Sequence, residues 1–314
     1  MTGVGEQGGG VDPRYHFCPS EFGVRAEADC LFHVVPVALE ASVSYGGGTA
    51  DGPEAILVAA DELEAVYLGT QPGLAGVHIA QAVHCGRGVA VEDSLVELAK
   101  RVAVLLQAGR VPVVLGGEHT VTFGALVGVA EAMGERAFGV VQFDAHADLR
   151  NEYGGDPMSH ACVMRRAHEK LGMPVYQVGV RGISPEEVEY REVHGTGFVD
   201  GHEIGREGVP DVLLPEDFPE DVYVTFDIDA LDASLMPATG TPSPGGLFWH
   251  HVTELLEKVA GGGENGKRRR IVGFDVVELA PMDGFHAADF TAASVVYALM
   301  HAVLVSRGDL PATG

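Results

Sequence analysis

The sequence predicts an α/β fold with a mainly parallel central sheet and helices on both of its faces. Six short apolar runs recur at residues 31–37, 111–115, 138–143, 175–180, 222–226 and 271–277. Continuous rather than alternating hydrophobicity is typical of strands that are buried on both faces of a parallel sheet. Segments with helical periodicity lie between these runs, so strand and helix alternate along the chain.

Three of the helical segments carry recognisable end signals. Residues 52–66 follow Asp51, which is a candidate N-cap, and residues 290–305 follow Asp289, which is another. Residues 91–110 end in Arg110, a cation that would interact favourably with the negative end of a helix. These signals predict helices that begin or end at those residues.

The organisation along the chain predicts a flexible tail over residues 1–14 and a single α/β domain over residues 15–314. The first dozen residues are rich in Gly, and no internal repeat follows them. The stretch 261–270, GGGENGKRRR, is the clearest loop, but it joins a helix to a strand and need not separate domains.

Net charge and cysteine usage limit the kinds of partner and of cysteine-based site that the chain could have. With 45 acidic and 20 basic side chains the formal charge is −25, which repels nucleic acid and anionic membranes and favours a cationic small molecule. The four cysteines are scattered without a CxxC spacing, so we expect reduced thiols rather than disulfides or a thiolate zinc site. We see no signal peptide and no apolar run approaching the ~20 residues of a membrane span, and therefore expect a soluble, cytoplasmic protein.

Acidic and imidazole side chains follow four of the predicted strands. In open α/β sheets, ligands bind beyond the carboxyl ends of the strands, and residues two apart in extended backbone point to the same side. One pocket could therefore collect these groups. They are Glu118 and His119 after 111–117, Asp144, His146 and Asp148 after 138–143, Asp227, Asp229 and Asp232 after 222–226, and Asp275 and Glu278 within and after 271–277.

Such a concentration of carboxylates predicts divalent metal, because like charges would otherwise raise each other's pKa. Oxygen and imidazole ligands without thiolate suit manganese better than structural zinc, although nickel, zinc and iron stay open on ligand type. Four aspartates and two histidines are too many for one catalytic zinc, and they suit a pair of ions about 3.5–4 Å apart. We interpret Asp232 and Asp275 as capping or supporting groups rather than ligands.

The motifs resemble those of the ureohydrolases, the arginase and agmatinase family, and are most similar to agmatinase. The resemblance covers roughly residues 30–305. Its motifs are GGEHT (116–120), FDAHADLR (143–150), SHA (159–161), FDIDALD (226–232), ATGTPSPGG (238–246) and DVVELAP (275–281). Glu118, Thr120 and Ser243 depart from the residues usual in the family, and none of them is an expected ligand.

The resemblance implies a three-layer α/β/α sandwich that holds two Mn²⁺ ions per subunit and assembles as a homotrimer or homohexamer. His119 and Asp148 would bind one ion, His146 and Asp229 the other, and Asp144 and Asp227 would bridge them. In catalysis, Glu278 would pair with the substrate guanidinium, with Thr241 close by. His160 would shuttle protons and Asp148 would stabilise the intermediate.

The loop 149–158 is where we expect the tail of the substrate to bind. Asn151, Glu152 and Asp156 would suit a cationic amine, whereas Arg150 favours an acidic tail. The leading hypothesis is hydrolysis of agmatine to urea and putrescine, a step in polyamine biosynthesis. The alternative is a ureohydrolase for another guanidino compound, namely 4-guanidinobutyrate, arginine or guanidine. A non-catalytic, metal-stabilised binding protein of the same fold is a distant third.

Overall fold

The structure, a computed structural model, describes residues 22–23, 25–262 and 266–309. The predicted tail over residues 1–14 lies outside them, and the single domain over 15–314 stays a prediction. In chain order the helices and strands are β1 Phe32–Val37, α1 Gly52–Ala60, β2 Val77–Ile79, α2 Val91–Gln107, β3 Val111–Gly116, α3 Val121–Met133, β4 Phe138–Phe143, α4 Val163–Leu171, β5 Val175–Val178, α5 Pro185–His194, β6 Gly197–Val199, α6 Gly201–Glu207, β7 Asp221–Asp227, α7 Trp249–Gly261, β8 Arg270–Val277 and α8 His286–Arg307.

The strands form one eight-stranded parallel sheet in the order β2-β1-β3-β8-β7-β4-β5-β6. All six predicted strands are confirmed within a few residues at their ends. The sequence missed β2 and β6, which are three-residue strands at the two edges of the sheet and are mostly not fully buried. Because an edge strand is neither long nor covered on all sides, it lacks the continuous apolar run that identifies an interior strand.

The helices cover both faces of the sheet, as predicted. In β3, Val113 and Leu115 pack in one core with α1, α7 and α8, whereas Val114 between them packs in a second core with α2 and α3. Alternate residues of one strand therefore enter opposite cores, which explains why the strand sequences are apolar without interruption. The three-layer α/β/α sandwich is confirmed.

The predicted helix ends are only partly right. Asp51 precedes α1, but its side chain makes no capping hydrogen bond. Helix α2 ends at Gln107, so Arg110 lies beyond its last turn. Helix α8 begins at His286, which places Asp289 in the first turn rather than at the cap. Tertiary packing decides these boundaries, which local sequence signals fix only to within a few residues.

Helix α8 corrects one further expectation. By length and composition it could cross a membrane, since an 18-residue window has a mean hydropathy of 1.6, but 72% of that window is buried within the fold. It packs against α1, α7 and β8. A helix that is apolar on all sides is the usual centre of a large core, and we interpret α8 in this way.

Candidate metal centre

The central strands of the sheet bring the six predicted ligands together. Strands β3, β8, β7 and β4 are consecutive neighbours, and all run in the same direction. The residues that follow their carboxyl ends therefore meet at one edge of the sheet. His119 follows β3, Asp144, His146 and Asp148 follow β4, and Asp227 and Asp229 lie at the end of β7.

The first group of donors surrounds His119. Its Nδ1 atom lies 3.0 Å from Asp148 Oδ2, 3.2 Å from Asp144 Oδ2 and 3.4 Å from Asp227 Oδ2. All four side chains are buried, and this nitrogen has no hydrogen-bond partner among the described residues. Donor atoms that bind one ion at about 2.0–2.2 Å lie roughly 3 Å apart, so the spacing fits a shared cation.

The tautomer of His119 supports the same interpretation. Thr225 Oγ1 donates a hydrogen bond to Asp275 Oδ1 at 2.6 Å, so it can accept one from His119 Nε2 at 2.9 Å. With a ring proton on Nε2, His119 could offer the lone pair of Nδ1 to a cation shared with the three carboxylates. Asp275 therefore supports His119 from behind, because it orients the Thr225 hydroxyl that in turn orients the ring.

The second group of donors includes His146, Asp229 and Asp144. His146 Nδ1 lies 3.1 Å from Asp229 Oδ2 and 3.6 Å from Asp144 Oδ1. Asp144 belongs to both groups, since its Oδ2 atom faces His119 while its Oδ1 atom faces His146. Gln142 Nε2 donates to Asp144 Oδ2 at 2.7 Å and helps to fix the carboxylate in this position. The two groups, which share Asp144, would hold two divalent ions.

The electrostatics of the cluster show why it favours cations. Burial, and then the charge of Asp144, raises the pKa of Asp148 to about 7. Burial also raises the pKa of Asp227 well above its usual range, with the neighbouring aspartates adding to the effect. Burial alone would lower the pKa of His146, but Asp144 and Asp229 outweigh it and raise that pKa to about 12. The cluster therefore attracts positive charge, which divalent ions would supply.

Two residues of the site have unusual backbone geometry. Among the described residues, three that are not Gly have a positive φ, namely Leu68, Asp148 at 51° and Glu278 at 67°. This left-handed region is sparsely populated by side-chain-bearing residues, and such strain persists where the surrounding structure enforces it. Two of the three instances fall on residues predicted to be catalytic.

Glu278 is fixed at the end of β8, immediately beside His119. Its backbone N–H donates to the Gly117 carbonyl at 2.8 Å, and its Oε1 atom accepts from the His119 backbone N–H at 2.6 Å. The side chain is buried, and burial raises the pKa of the carboxyl to about 8. A cationic group beside it would favour the ionised form.

His160 is held by two serines that the sequence analysis did not identify. Ser42 Oγ lies 3.0 Å from His160 Nδ1, and Ser44 Oγ lies 2.8 Å from Nε2. Burial lowers the pKa of His160, so its imidazole is neutral near pH 7. Glu118 positions this serine loop because its Oε1 atom accepts from Ser42 Oγ at 2.8 Å. These contacts join segments far apart in the chain, and no local signal marks them.

Asp232 supports a neighbouring loop rather than the metal centre, in agreement with its predicted role. Its Oδ2 atom accepts from the backbone N–H groups of Gly245 and Gly246 at 2.6 and 3.1 Å. Burial would raise its pKa, but hydrogen bonds, first those from Ser234, lower the pKa to about 2. The loop that carries Thr241 is therefore tied to the end of β7.

A cavity of about 220 Å³ opens onto both donor groups. Its wall includes His160, Glu278 and Thr241, as predicted for the reacting end of a substrate. Four of the six predicted metal ligands also line it, namely His146, Asp148, Asp227 and Asp229. Since His119 and Asp144 are fully buried behind them, a small molecule in the cavity would reach the metal centre from one side.

The predicted tail-binding residues Asn151, Glu152 and Asp156 do not line this cavity. All three are exposed; Asn151 Oδ1 accepts from Arg166 Nη2, and Asp156 Oδ1 accepts from the Met158 backbone N–H. A local turn pairs Tyr153 with Asp156, and of these two residues only Tyr153 lines the wall.

Arg150, Tyr153 and Glu187 occupy the corresponding part of the wall instead. Glu187 could not be recognised as a wall residue from the sequence, because it occurs in a helix-capping motif. Its carboxylate there accepts hydrogen bonds from the backbone N–H and hydroxyl of Ser184. Its Oε1 atom also accepts from the Leu149 backbone N–H at 3.0 Å, which ties the end of the β4 loop to α5.

Comparisons with known proteins match most of the chain to one family. The family model described as "Arginase family" matches residues 31–302. An N(1)-aminopropylagmatine ureohydrolase of Thermus thermophilus is 40% identical over 84% of this chain and 87% of its own length. An agmatinase of Pyrococcus horikoshii is 33% identical over 86% of this chain and 90% of its own. The structure of proclavaminate amidino hydrolase from Streptomyces clavuligerus aligns with a TM-score of 0.80 at 26% identity, covering 94% of this chain and 100% of that one. The chain therefore belongs to the arginase family of ureohydrolases.

Proposed function

We propose that this chain hydrolyses the terminal guanidinium of agmatine, or of an agmatine substituted on its amine, to release urea and the corresponding amine. The observation that carries the proposal is the position of Glu278, whose buried carboxyl lies in the same cavity wall as ligands of both donor groups. A carboxylate there can hold a guanidinium by paired, charge-assisted hydrogen bonds against the metal centre.

The ligand set proposed is His119, Asp144, His146, Asp148, Asp227 and Asp229, and the ions proposed are two Mn²⁺. Carboxylate oxygens and imidazole nitrogens without thiolate support manganese. When bound, such a pair supplies hydroxide at neutral pH by lowering the pKa of water from 15.7 toward about 7. This chemistry suits a guanidinium carbon, which is a weak electrophile because its positive charge is delocalised.

His160 is proposed to handle the proton of the departing amine. Its lowered pKa leaves the ring neutral, and both ring nitrogens have serine hydroxyls within hydrogen-bond distance. A neutral imidazole in this position can accept a proton from one neighbour and pass it to another. Asp148 is proposed to accept a hydrogen bond from the amino group of the intermediate, and Thr241 to contact the guanidinium.

The length of the amine tail distinguishes two candidate substrates. For agmatine itself, support comes from the agmatinase relative and from the small cavity volume. For N(1)-aminopropylagmatine, support comes from the Thermus thermophilus relative, which has the higher sequence identity. Apart from Glu278 and the proposed metal ligands, Glu187 is the acidic residue of the wall, and we propose that it attracts either cationic tail in place of Glu152 and Asp156.

One observation favours a different class of tail. Arg150 lines the cavity, its guanidinium carbon lies 5.5 Å from the centre of the Tyr153 ring, and its Nε atom lies 3.9 Å from Glu187 Oε2. A cation at this position would bind an acidic tail such as that of 4-guanidinobutyrate. Its pairing with Glu187 reduces the effect, so the acidic substrate is the second candidate class.

The test is urea release from a panel of guanidino compounds, with bound metal counted on the same sample. The panel is agmatine, N(1)-aminopropylagmatine, 4-guanidinobutyrate, arginine and guanidine. We expect two manganese ions per chain and the highest kcat/KM for one of the first two compounds. A higher kcat/KM for 4-guanidinobutyrate or arginine would overturn the substrate class, and two bound ions without urea release from any compound would identify a binding protein.

The resemblance also supports two proposals about the protein as a whole. We propose that it assembles as a homotrimer or homohexamer, which analytical ultracentrifugation would test. We propose that it acts in the cytoplasm, which cell fractionation would test.

A further inference from the structure

Glu27, His33 and His78 form a second group of potential metal ligands, far from the cavity described above, and we call it the edge histidine cluster. His33 is the second residue of β1, and His78 is the central residue of β2, the edge strand. Glu27 belongs to a short 3-10 turn that precedes β1. The cluster thus lies toward the amino-terminal ends of these strands, whereas the proposed catalytic site lies beyond the carboxyl ends of the central strands.

The two histidines are brought together by strand register. His33 and His78 are direct partners in the parallel pairing of β1 with β2, and their ring centres are 5.2 Å apart. Each of the three side chains offers one donor atom, and these atoms lie within 4.8 Å of one another. His78 Nε2 lies 3.8 Å from Glu27 Oε2. Small side-chain adjustments would let all three contact one ion.

His33 supplies the second observation that points to a ligand. Its side chain is only 3% exposed, and its Nε2 atom has no hydrogen-bond partner among the described residues. A buried polar atom without a partner is unfavourable, and such atoms in a folded protein call for an explanation. A metal ion bound at Nε2 would supply the missing partner.

We propose that the edge histidine cluster binds one zinc ion, separate from the ions of the catalytic site. Two imidazoles and one carboxylate are a common protein ligand set for zinc, which prefers nitrogen donors more strongly than manganese does. Glu27 and His78 are partly exposed, with side-chain exposures of 68% and 29%, so an ion can reach the cluster from solvent and keep water as its remaining ligand.

The bound ion has a structural consequence for the sheet. Strand β2 has three residues, and among the described strands it pairs only with β1. A zinc ion held by His33 and His78 crosslinks the edge strand to its neighbour, and Glu27 adds the turn before β1 to the same crosslink. A zinc ion that binds the folded state and not the unfolded state stabilises the protein by mass action.

The test compares metal content and stability in the manganese-loaded enzyme. Wild-type protein, His78→Ala and the control His202→Ala, which changes an exposed histidine on α6, are equilibrated with Zn²⁺, desalted and analysed for total manganese and zinc. Because total metal is counted, exchange of zinc into the catalytic site does not affect the comparison. We expect wild type and His202→Ala to hold one more ion per chain than His78→Ala.

Two further measurements separate binding from a general loss of structure. Glu27→Gln changes an exposed side chain, and we expect it to weaken zinc binding at the cluster by at least about tenfold while the manganese-dependent turnover stays unchanged. Zinc is expected to raise the melting temperature of manganese-loaded wild type but not of His78→Ala. Equal total metal and an equal zinc-induced rise in wild type and His78→Ala would overturn the proposal.

Discussion

At the scale of single residues, the proposed site depends on side chains whose surroundings are unfavourable in isolation. His119 Nδ1 is buried with no hydrogen-bond partner among the residues that the structure describes, and Asp148 and Glu278 have positive φ. Each of these features costs free energy of folding, on the order of 1–3 kcal/mol. They fall on the residues proposed to bind metal and substrate, where a bound ligand would offset the cost.

Replacing Glu278 by Gln tests the guanidinium contact. Gln keeps the size of the side chain and can still accept from the His119 backbone N–H, but it removes the charge that would pair with substrate. We expect kcat to fall by roughly 10²–10³-fold, the usual loss when one electrostatic contact to the reacting group is removed, with two ions still bound. Steady-state urea assays and elemental analysis measure the two quantities.

Glu192→Gln on the exposed face of α5 is the matched control, and it should behave as wild type. Turnover by Glu278→Gln at the wild-type rate would show that this carboxylate does not hold the guanidinium. Loss of both ions in the same variant would assign Glu278 to metal binding instead.

Replacing Arg150 by Gln distinguishes the two classes of tail. Arg150 is partly exposed and lines the cavity, so removing its charge should change substrate binding moderately, on the order of 1 kcal/mol. We expect the KM for agmatine to fall by roughly two- to fivefold and the KM for 4-guanidinobutyrate to rise by a similar factor. Arg206→Gln, an exposed change on α6, is the control. A higher KM for agmatine in Arg150→Gln would contradict the proposed repulsion.

At the scale of elements, the packing of α2 against α3 depends on glycine in α3. A Cβ atom added at Gly128 would clash with the Ala99 carbonyl oxygen and lie 2.8 Å from Val102 Cβ. The two helices therefore approach more closely than any side chain would permit. By contrast, a Cβ added at Gly205, inside α6, meets nothing within 4 Å.

Alanine substitutions at these two glycines should change the free energy of unfolding in opposite directions. Gly128→Ala forces the two helices apart and should lower the free energy of unfolding by about 2–3 kcal/mol. Gly205→Ala removes the entropic cost of a helical glycine without a clash and should raise it by about 0.5–1 kcal/mol. Urea denaturation of both variants beside wild type measures the two changes. A stability of Gly128→Ala at or above that of wild type would show that α2 and α3 do not pack this closely.

At the scale of the whole molecule, the protonation of the buried acidic cluster is coupled to the binding of divalent ions. The chain has a formal charge of −25, and part of its acidic excess is collected in one buried cluster. The charge of Asp144 contributes to the raised pKa values of Asp148 and Asp227, while the carboxylates raise those of His119 and His146. Without divalent ions, protons are the cations that reduce the repulsion within the cluster.

This coupling predicts how metal and pH together affect stability. A group whose pKa is raised by folding stabilises the protein fully below its unfolded pKa, and that contribution is lost as the pH rises through its folded pKa. For Asp148 this interval runs from 3.8 to about 7, and for His146 from 6.5 to about 12. The metal-free chain should therefore lose stability from this cluster between pH 6 and pH 8.

Bound ions replace those protons, so the stabilisation by metal should increase over the same interval. We expect the difference in melting temperature between manganese-loaded and chelator-treated protein to be several degrees and to be larger at pH 8 than at pH 6. Thermal scans at both pH values with and without chelator measure it. A difference that stays constant or shrinks toward pH 8 would contradict the predicted exchange of protons for metal.

From the amino-acid sequence we could predict the fold class, the six interior strands and the residue types of the candidate metal centre. Burial on both faces makes an interior strand apolar throughout, and the carboxylates and imidazoles follow those strands as short motifs such as Asp144 to Asp148. These features are local, because a strand and the residues immediately after it are contiguous in the chain. The same locality explains why the edge strands β2 and β6, which are short and mostly not fully buried, were missed.

The tertiary structure was needed to show which distant side chains lie together. It placed Ser42 and Ser44 on His160, Thr225 between His119 and Asp275, and His33 beside His78. It also replaced the predicted tail-binding residues Asn151, Glu152 and Asp156 by Arg150, Tyr153 and Glu187 in the cavity wall. These contacts depend on the order of strands in the sheet and on the direction of a turn, both of which are set by packing across the whole molecule.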